Sequence, residues 1–132
     1  MPPQLSERIQ TADWKSEKHV PFIECPGQVG KDQFFQVKLT LGKEIAHPNT
    51  TEHHIAWIAL YFQPEGDKFI HQVGHFGLSS HGESVKGANQ GPVYTHHEVV
   101  ATMKVDQPGQ LHALAYCNIH GLWQSIRELQ VQ

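Results

Sequence analysis

The sequence predicts an all-β protein: an immunoglobulin-like β-sandwich of about seven antiparallel strands preceded by an irregular N-terminal arm. Three observations predict it. Apolar residues alternate with polar ones at a period of two, turns rich in Pro and Gly divide the segments, and no stretch carries the 3.6-residue period of an amphipathic helix.

Residues 34–41 (FFQVKLTL) place Phe35, Val37, Leu39 and Leu41 on one face and Gln36, Lys38 and Thr40 on the other, as a half-buried strand does. Residues 54–62 (HIAWIALYF) are apolar on both faces and rich in aromatic and β-branched side chains, which suits a central strand. The turn Gln63-Pro64-Glu65-Gly66-Asp67 leads from there into a hairpin partner at residues 69–76. A Gly, Ser and Asn-rich stretch, 77–91, separates these from a further strand within 93–105. Asp106-Gln107-Pro108-Gly109 then turns the chain into residues 110–117. Residues 121–129 supply a last strand, although 125–130 could also close as a helical turn. Up to about Lys15 the chain has no clear period, and no internal repeat is present.

A chain of 132 residues is the size of one domain, 1–132, able to bury roughly two-thirds of its unfolded surface without disulfide staples. The net charge of −3 offers no basic excess for nucleic acid. No apolar run approaches the roughly 18 residues of a bilayer span, and MPPQLSERIQ has no apolar core of a secretion signal, so a soluble protein retained in the cytoplasm is expected. In that reducing compartment Cys25 and Cys117 are expected to stay unbridged.

Eleven histidines are the compositional anomaly. His47 and His53 flank Pro48 and Asn49 in a loop feeding the central strand, where a turn aims both rings at one point. Cys117 and His120 lie at the end of another strand, and His19 stands in Glu17-Lys18-His19-Val20-Pro21 near the arm. Four imidazoles and one thiolate exceed the closed tetrahedron of structural zinc and suit a six-coordinate metal with one position open to a small ligand. Each residue also has a plainer explanation. His19 could be an exposed arm residue, Cys117 a small buried hydrophobe, and Glu52 a solvated charge. His53 and His54 point to opposite faces of a strand, so at most one faces the site. His71, His75, His81, His96, His97 and His112 repeat no ligand spacing and are assigned to surface or strand positions.

A blue-copper electron-transfer protein also builds a site from a strand-end Cys and His. It wants a weak axial Met after the second His, and here that stretch is Gly121-Leu122-Trp123-Gln124-Ser125, with Gln124 the available substitute. A cupredoxin-like electron-transfer or metal-binding protein without a substrate is therefore the alternative.

Taken in order, Glu17-Lys18-His19-Val20-Pro21, then His47-Pro48-Asn49 with Glu52-His53-His54-Ile55, then Cys117-Asn118-Ile119-His120-Gly121-Leu122-Trp123 resemble the superoxide reductases of the single-iron, neelaredoxin type. The resemblance runs from about residue 13 to 123. No cysteine precedes Cys25, so the extra N-terminal iron domain of desulfoferrodoxins is not expected here. The resemblance implies an immunoglobulin-like fold, commonly in tetramers, and one iron per chain cycling between Fe2+ and Fe3+. His19, His47, His53 and His120 would bind it equatorially and Cys117 axially. It implies reduction of superoxide to hydrogen peroxide, with electrons from rubredoxin or a similar small redox protein. Glu17 matches the glutamate that closes on the ferric iron as a sixth ligand. Lys18 matches the lysine beside the open position, where a cation attracts superoxide and holds a proton-supplying water. Backbone amides of Ile119 and His120 are expected to bond the sulfur.

Overall fold

The computed structural model describes residues 2–132. Along the chain run β1 (Phe22–Glu24), β2 (Gln28–Val29), β3 (Phe35–Thr40), β4 (Ile55–Pro64), β5 (His71–Gly77), β6 (Glu98–Met103), β7 (Gly109–Cys117) and β8 (Gly121–Val131). They form a three-stranded sheet in the order β1-β3-β6 and a five-stranded sheet in the order β2-β8-β7-β4-β5. The expected all-β sandwich is therefore present, with eight strands.

The alternation seen in the sequence drives the packing. Phe35, Val37 and Leu39 turn inward from β3, and they meet Ile58, Leu60, Leu111 and Ala113 from the larger sheet in a single apolar core. Every second residue of β7 is buried, from Gly109 through Leu111, Ala113 and Ala115 to Cys117. That parity carries the Cys117 side chain to the inner face at the strand's last residue, and Cys117 is fully buried.

Four features depart from expectation. The two-residue β2 pairs in parallel with β8, so the sandwich is not wholly antiparallel. Residues 125–130 continue β8 to Val131 and make no helical turn, because ladder bonds to β7 hold them extended. Within 93–105 only residues 98–103 pair with β3, since Tyr94 is drawn away to bridge His81. The arm is irregular apart from one 3₁₀ turn at Leu5–Glu7, but Gln10 docks in parallel beside Trp123, its amide donating to the Leu122 carbonyl at 2.9 Å. Among the described residues no helix is long and apolar enough to cross a membrane.

Candidate metal centre

Register and turn geometry build the site at one end of the larger sheet. Cys117 pairs with Gly121 across a three-residue turn, Asn118-Ile119-His120. Gly121 has φ +81°, the left-handed conformation that lets so short a loop return into β8. The same Cys117 pairs with Ile55, so His53, two residues before Ile55, lies beside the thiol.

On the other side, the arm brings in His19. The Ser125 hydroxyl donates to the Pro21 carbonyl at 2.6 Å and the Arg127 guanidinium to the Ile23 carbonyl at 2.8 Å, tying the chain after His19 to β8. The His19 ring stacks on Trp123 with centroids 4.9 Å apart, while the Trp123 indole N–H donates to the His120 carbonyl at 3.1 Å. Trp123 thus orients two imidazoles at once. The sequence offered one signal for this: Trp123 shares the inward parity of Ala115, its cross-strand partner.

One donor atom each from His19, His53, Cys117 and His120 falls within 4.8 Å of all the others. His19 Nε2 lies 3.1 Å from His120 Nδ1, which in turn lies 3.8 Å from Cys117 Sγ. His47 stands just outside that tightest group, its ring centroid 4.8 Å from that of His19 and 4.9 Å from that of His53. Its Nδ1–H donates to the Pro48 carbonyl at 2.6 Å, which fixes the tautomer and leaves the Nε2 lone pair free. The Nε2 atoms of His47 and His53 are buried with no hydrogen-bond partner. A lone pair stranded in this way carries an uncompensated desolvation cost, and a metal ion is the partner that imidazole nitrogens and a thiolate share. The donor set therefore fits a transition-metal ion.

The charge states suit ligation. Burial lowers the His47 pKa to about 4, helped by the neighbouring rings of His19, His53 and His97 and opposed by the Pro48 carbonyl. His53 is lowered by burial first, then by the charges of His120, His19 and Lys18. Both rings are neutral near pH 7, as ligands must be. For Glu17, burial opposes ionisation, but hydrogen bonds from the His19 ring and amide and the charge of Lys18 prevail and hold it below the usual carboxylate range. Its carboxylate accepts from His19 Nδ1 at 2.7 Å and from the His19 amide at 3.0 Å. Lys18 is half-buried and close enough to His53 to bias its titration.

Of the two amides expected at the sulfur, His120 N–H donates to Cys117 Sγ at 3.4 Å, and no bond from Ile119 is formed. Cys25 and Cys117 are both free thiols. His81 and His97 are not surface residues: they are 3% and 6% exposed. His81 is covered by His54, stacked at 3.4 Å between centroids, and His97 sits edge-on to His47 at 5.8 Å. Gln124 is ruled out as an axial ligand. It pairs with Leu114 on the outer face and lines a cleft with Ile9 and Tyr61, across the sheet from Cys117.

The loop carrying Asn89 braces the His53 segment. Thr51 N–H donates to Asn89 Oδ1 at 2.9 Å, Asn89 N–H returns to Thr51 Oγ1 at 3.0 Å, and the Asn89 side-chain amide caps Glu52 at 2.8 Å. Glu52 is an exposed loop charge, as expected, and it also accepts the Asn89 side-chain bond. On the His47 side, Gly42 has φ +72°, and a Cβ there would meet the His47 backbone nitrogen at 2.5 Å. Gly42→Ala is therefore expected to cost roughly 2–4 kcal/mol, left-handed strain and overpacking together. Urea unfolding of the metal-free protein measures it, and a loss below 0.5 kcal/mol would show the loop re-forms at no strain.

Fold and site together define a β-sandwich protein with a mixed imidazole and thiolate donor pocket at one end of its larger sheet. The desulfoferrodoxin family model matches residues 11–126. The chain is 57% identical to a neelaredoxin of Megalodesulfovibrio gigas over 129 residues, covering 98% of this chain and 99% of that one. It is 51% identical to a superoxide reductase of Pyrococcus furiosus over 121 residues, covering 92% and 95%. The crystal structure of a putative superoxide reductase from Thermotoga maritima superposes with a TM-score of 0.97 at 52% identity, covering 98% of each chain. The chain belongs to the desulfoferrodoxin family.

Proposed function

We infer that the chain is a superoxide reductase, an oxidoreductase that converts superoxide to hydrogen peroxide. The convergence of His19, His53, Cys117 and His120 within 4.8 Å, beside an imidazole whose inner nitrogen has no partner, carries this conclusion. The relatives named superoxide reductase support it at the level of the whole chain. The cupredoxin-like alternative loses its last candidate axial ligand with Gln124 on the outer face.

One iron per chain, held by His19, His47, His53, His120 and Cys117, would supply the single electron that superoxide must gain. The chain's residues do the rest. Lys18 places a cation beside His53 against a net charge of −3, which draws the anion to this end of the sandwich. With two protons, one electron and one superoxide the product is one hydrogen peroxide, and the half-buried Lys18 ammonium is the proposed holder of the proton-supplying water. Glu17 fixes the ring plane of His19 from outside. If an iron is held there, the Glu17 carboxylate would be free to serve as a further ligand only after giving up its bonds to the His19 ring and amide. Rubredoxin or a similar small redox protein is the proposed electron donor, and the chain, a single domain over 1–132, is proposed to work in the cytoplasm as a homotetramer.

A pulse of superoxide given to the reduced, iron-loaded protein is expected to yield about one peroxide per superoxide consumed, with no oxygen released. Oxygen evolution would make the protein a dismutase. Copper in the purified protein, or no reaction, would overturn the assignment outright.

A further inference from the structure

The ladder between β4 and β7 ends at the pair Ile55 and Cys117, next to a register shift between Ile55 and Trp57. Beyond that pair no sheet bond holds the two strand ends together, yet His53 hangs from one end and Cys117 with His120 from the other. Asn118 spans the gap. Its backbone amide donates to the His54 carbonyl at 3.1 Å, its Oδ1 accepts from the His54 amide at 2.8 Å, and its Nδ2 donates to the Glu52 carbonyl at 2.9 Å. All three bonds reach backbone atoms of the two residues flanking His53, so the residue between them is held from both sides.

We propose that Asn118 is a positioning residue of the metal centre, stapling the Cys117-to-His120 turn to the His53 segment so that their donors stand at ligand spacing before an ion arrives. This rests on the metal assignment above and extends it to a residue that touches no donor atom. Asn118 is exposed, so each bond contributes little to folding on its own. Their value lies in direction: a side-chain amide offers a donor and an acceptor in one plane, matched here to a carbonyl and an N–H two residues apart. Alanine would keep only the backbone bond to His54 and would lose both side-chain bonds that tie Glu52 and His54, on either side of His53, to the Cys117-to-His120 turn.

The test is Co(II) affinity of the metal-free protein, measured by competition against a chromophoric chelator. Asn118→Ala is expected to weaken it 10–100-fold, the range for groups that orient metal ligands. Gln63→Ala is the control. Gln63 donates to the Pro64 and Asp67 carbonyls at the far end of β4, so it removes comparable loop bonds away from the centre, and its affinity is expected to match the parent's. Should Asn118→Ala not fold, Asn118→Gln keeps both amide groups but displaces them by one methylene, and carries the same expectation. Affinity within twofold of the parent, or a loss no larger than that of Gln63→Ala, overturns the positioning role and leaves the metal assignment standing. Failure of the parent to take up Co(II) overturns both.

Discussion

Cys117→Ser is expected to lower the rate of superoxide reduction at least about 100-fold, beyond the loss usual for groups that only orient a ligand, and to abolish the thiolate charge-transfer colour of the oxidised protein. The thiol is the one sulfur in the donor cluster, fully buried at the inner end of β7. A serine hydroxyl is close in size and can still accept from the His120 amide, so the core should tolerate it. It does not ionise at neutral pH, and it cannot donate electron density to an iron as a thiolate does. The result therefore separates chemistry from folding: unfolding of the metal-free variant should stay close to the parent's while the pulse-measured rate collapses. A rate within tenfold of the parent's would remove Cys117 from the proposed centre.

Acid should unfold the metal-free protein well before its carboxylates are protonated. Burial places His47 and His97 at about 4 in the folded state, His97 helped by the charge of His96 and opposed by Glu98. In the unfolded chain both titrate near 6.5. Between those values the unfolded chain binds protons that the folded one refuses, so stability is complete above about 6.5 and falls as pH drops toward 4. At 1.36 kcal/mol per unit the upper bound for each ring is about 3 kcal/mol, and solvent screening brings the contribution down to about 1–2 kcal/mol. His53 and His112 are lowered too and act in the same direction. Glu17 and Glu83 are lowered from 4.5, so their stabilising share is intact down to about that pH and is lost from the bottom of the window downward. Urea midpoints at pH 7, 5.5 and 4.5 should fall steadily, and His97→Gln should remove a substantial part of that slope. Equal midpoints at pH 7 and 4.5 would show that these rings take up protons without unfolding.

The alternation of residues 34–41 announced β3 because a half-buried strand writes its period into its own side chains. β1 and β2 left no such trace. They are three and two residues long, and each is extended because another strand offers it a ladder, β3 for β1 and, from far along the chain, β8 for β2. The gathering of Cys117, His120 and His53 was legible in part, since the first two sit on either side of a turn and His53 ends a loop, whereas His19 joins from the arm, 101 positions before His120, with no local arrangement to mark it. Burial of His81 and His97 was not legible. What covers them is a ring from another segment, His54 for one and His47 for the other, and no neighbouring residue encodes that. The Asn118 staple escaped for the same reason: asparagine in a turn is commonplace, and its partners lie more than 60 residues away.

His19 and His120, whose facing nitrogens are 3.1 Å apart, are separated by 101 positions in sequence. An ion shared between them would turn about three-quarters of the chain into a closed ring. Closing a loop of about that length removes roughly 4–5 kcal/mol of unfolded-chain entropy by the same arithmetic that applies to a disulfide. In the proposed centre the ion is thus also a reversible crosslink. Its departure would return that freedom to the chain and loosen the attachment of everything before Val20.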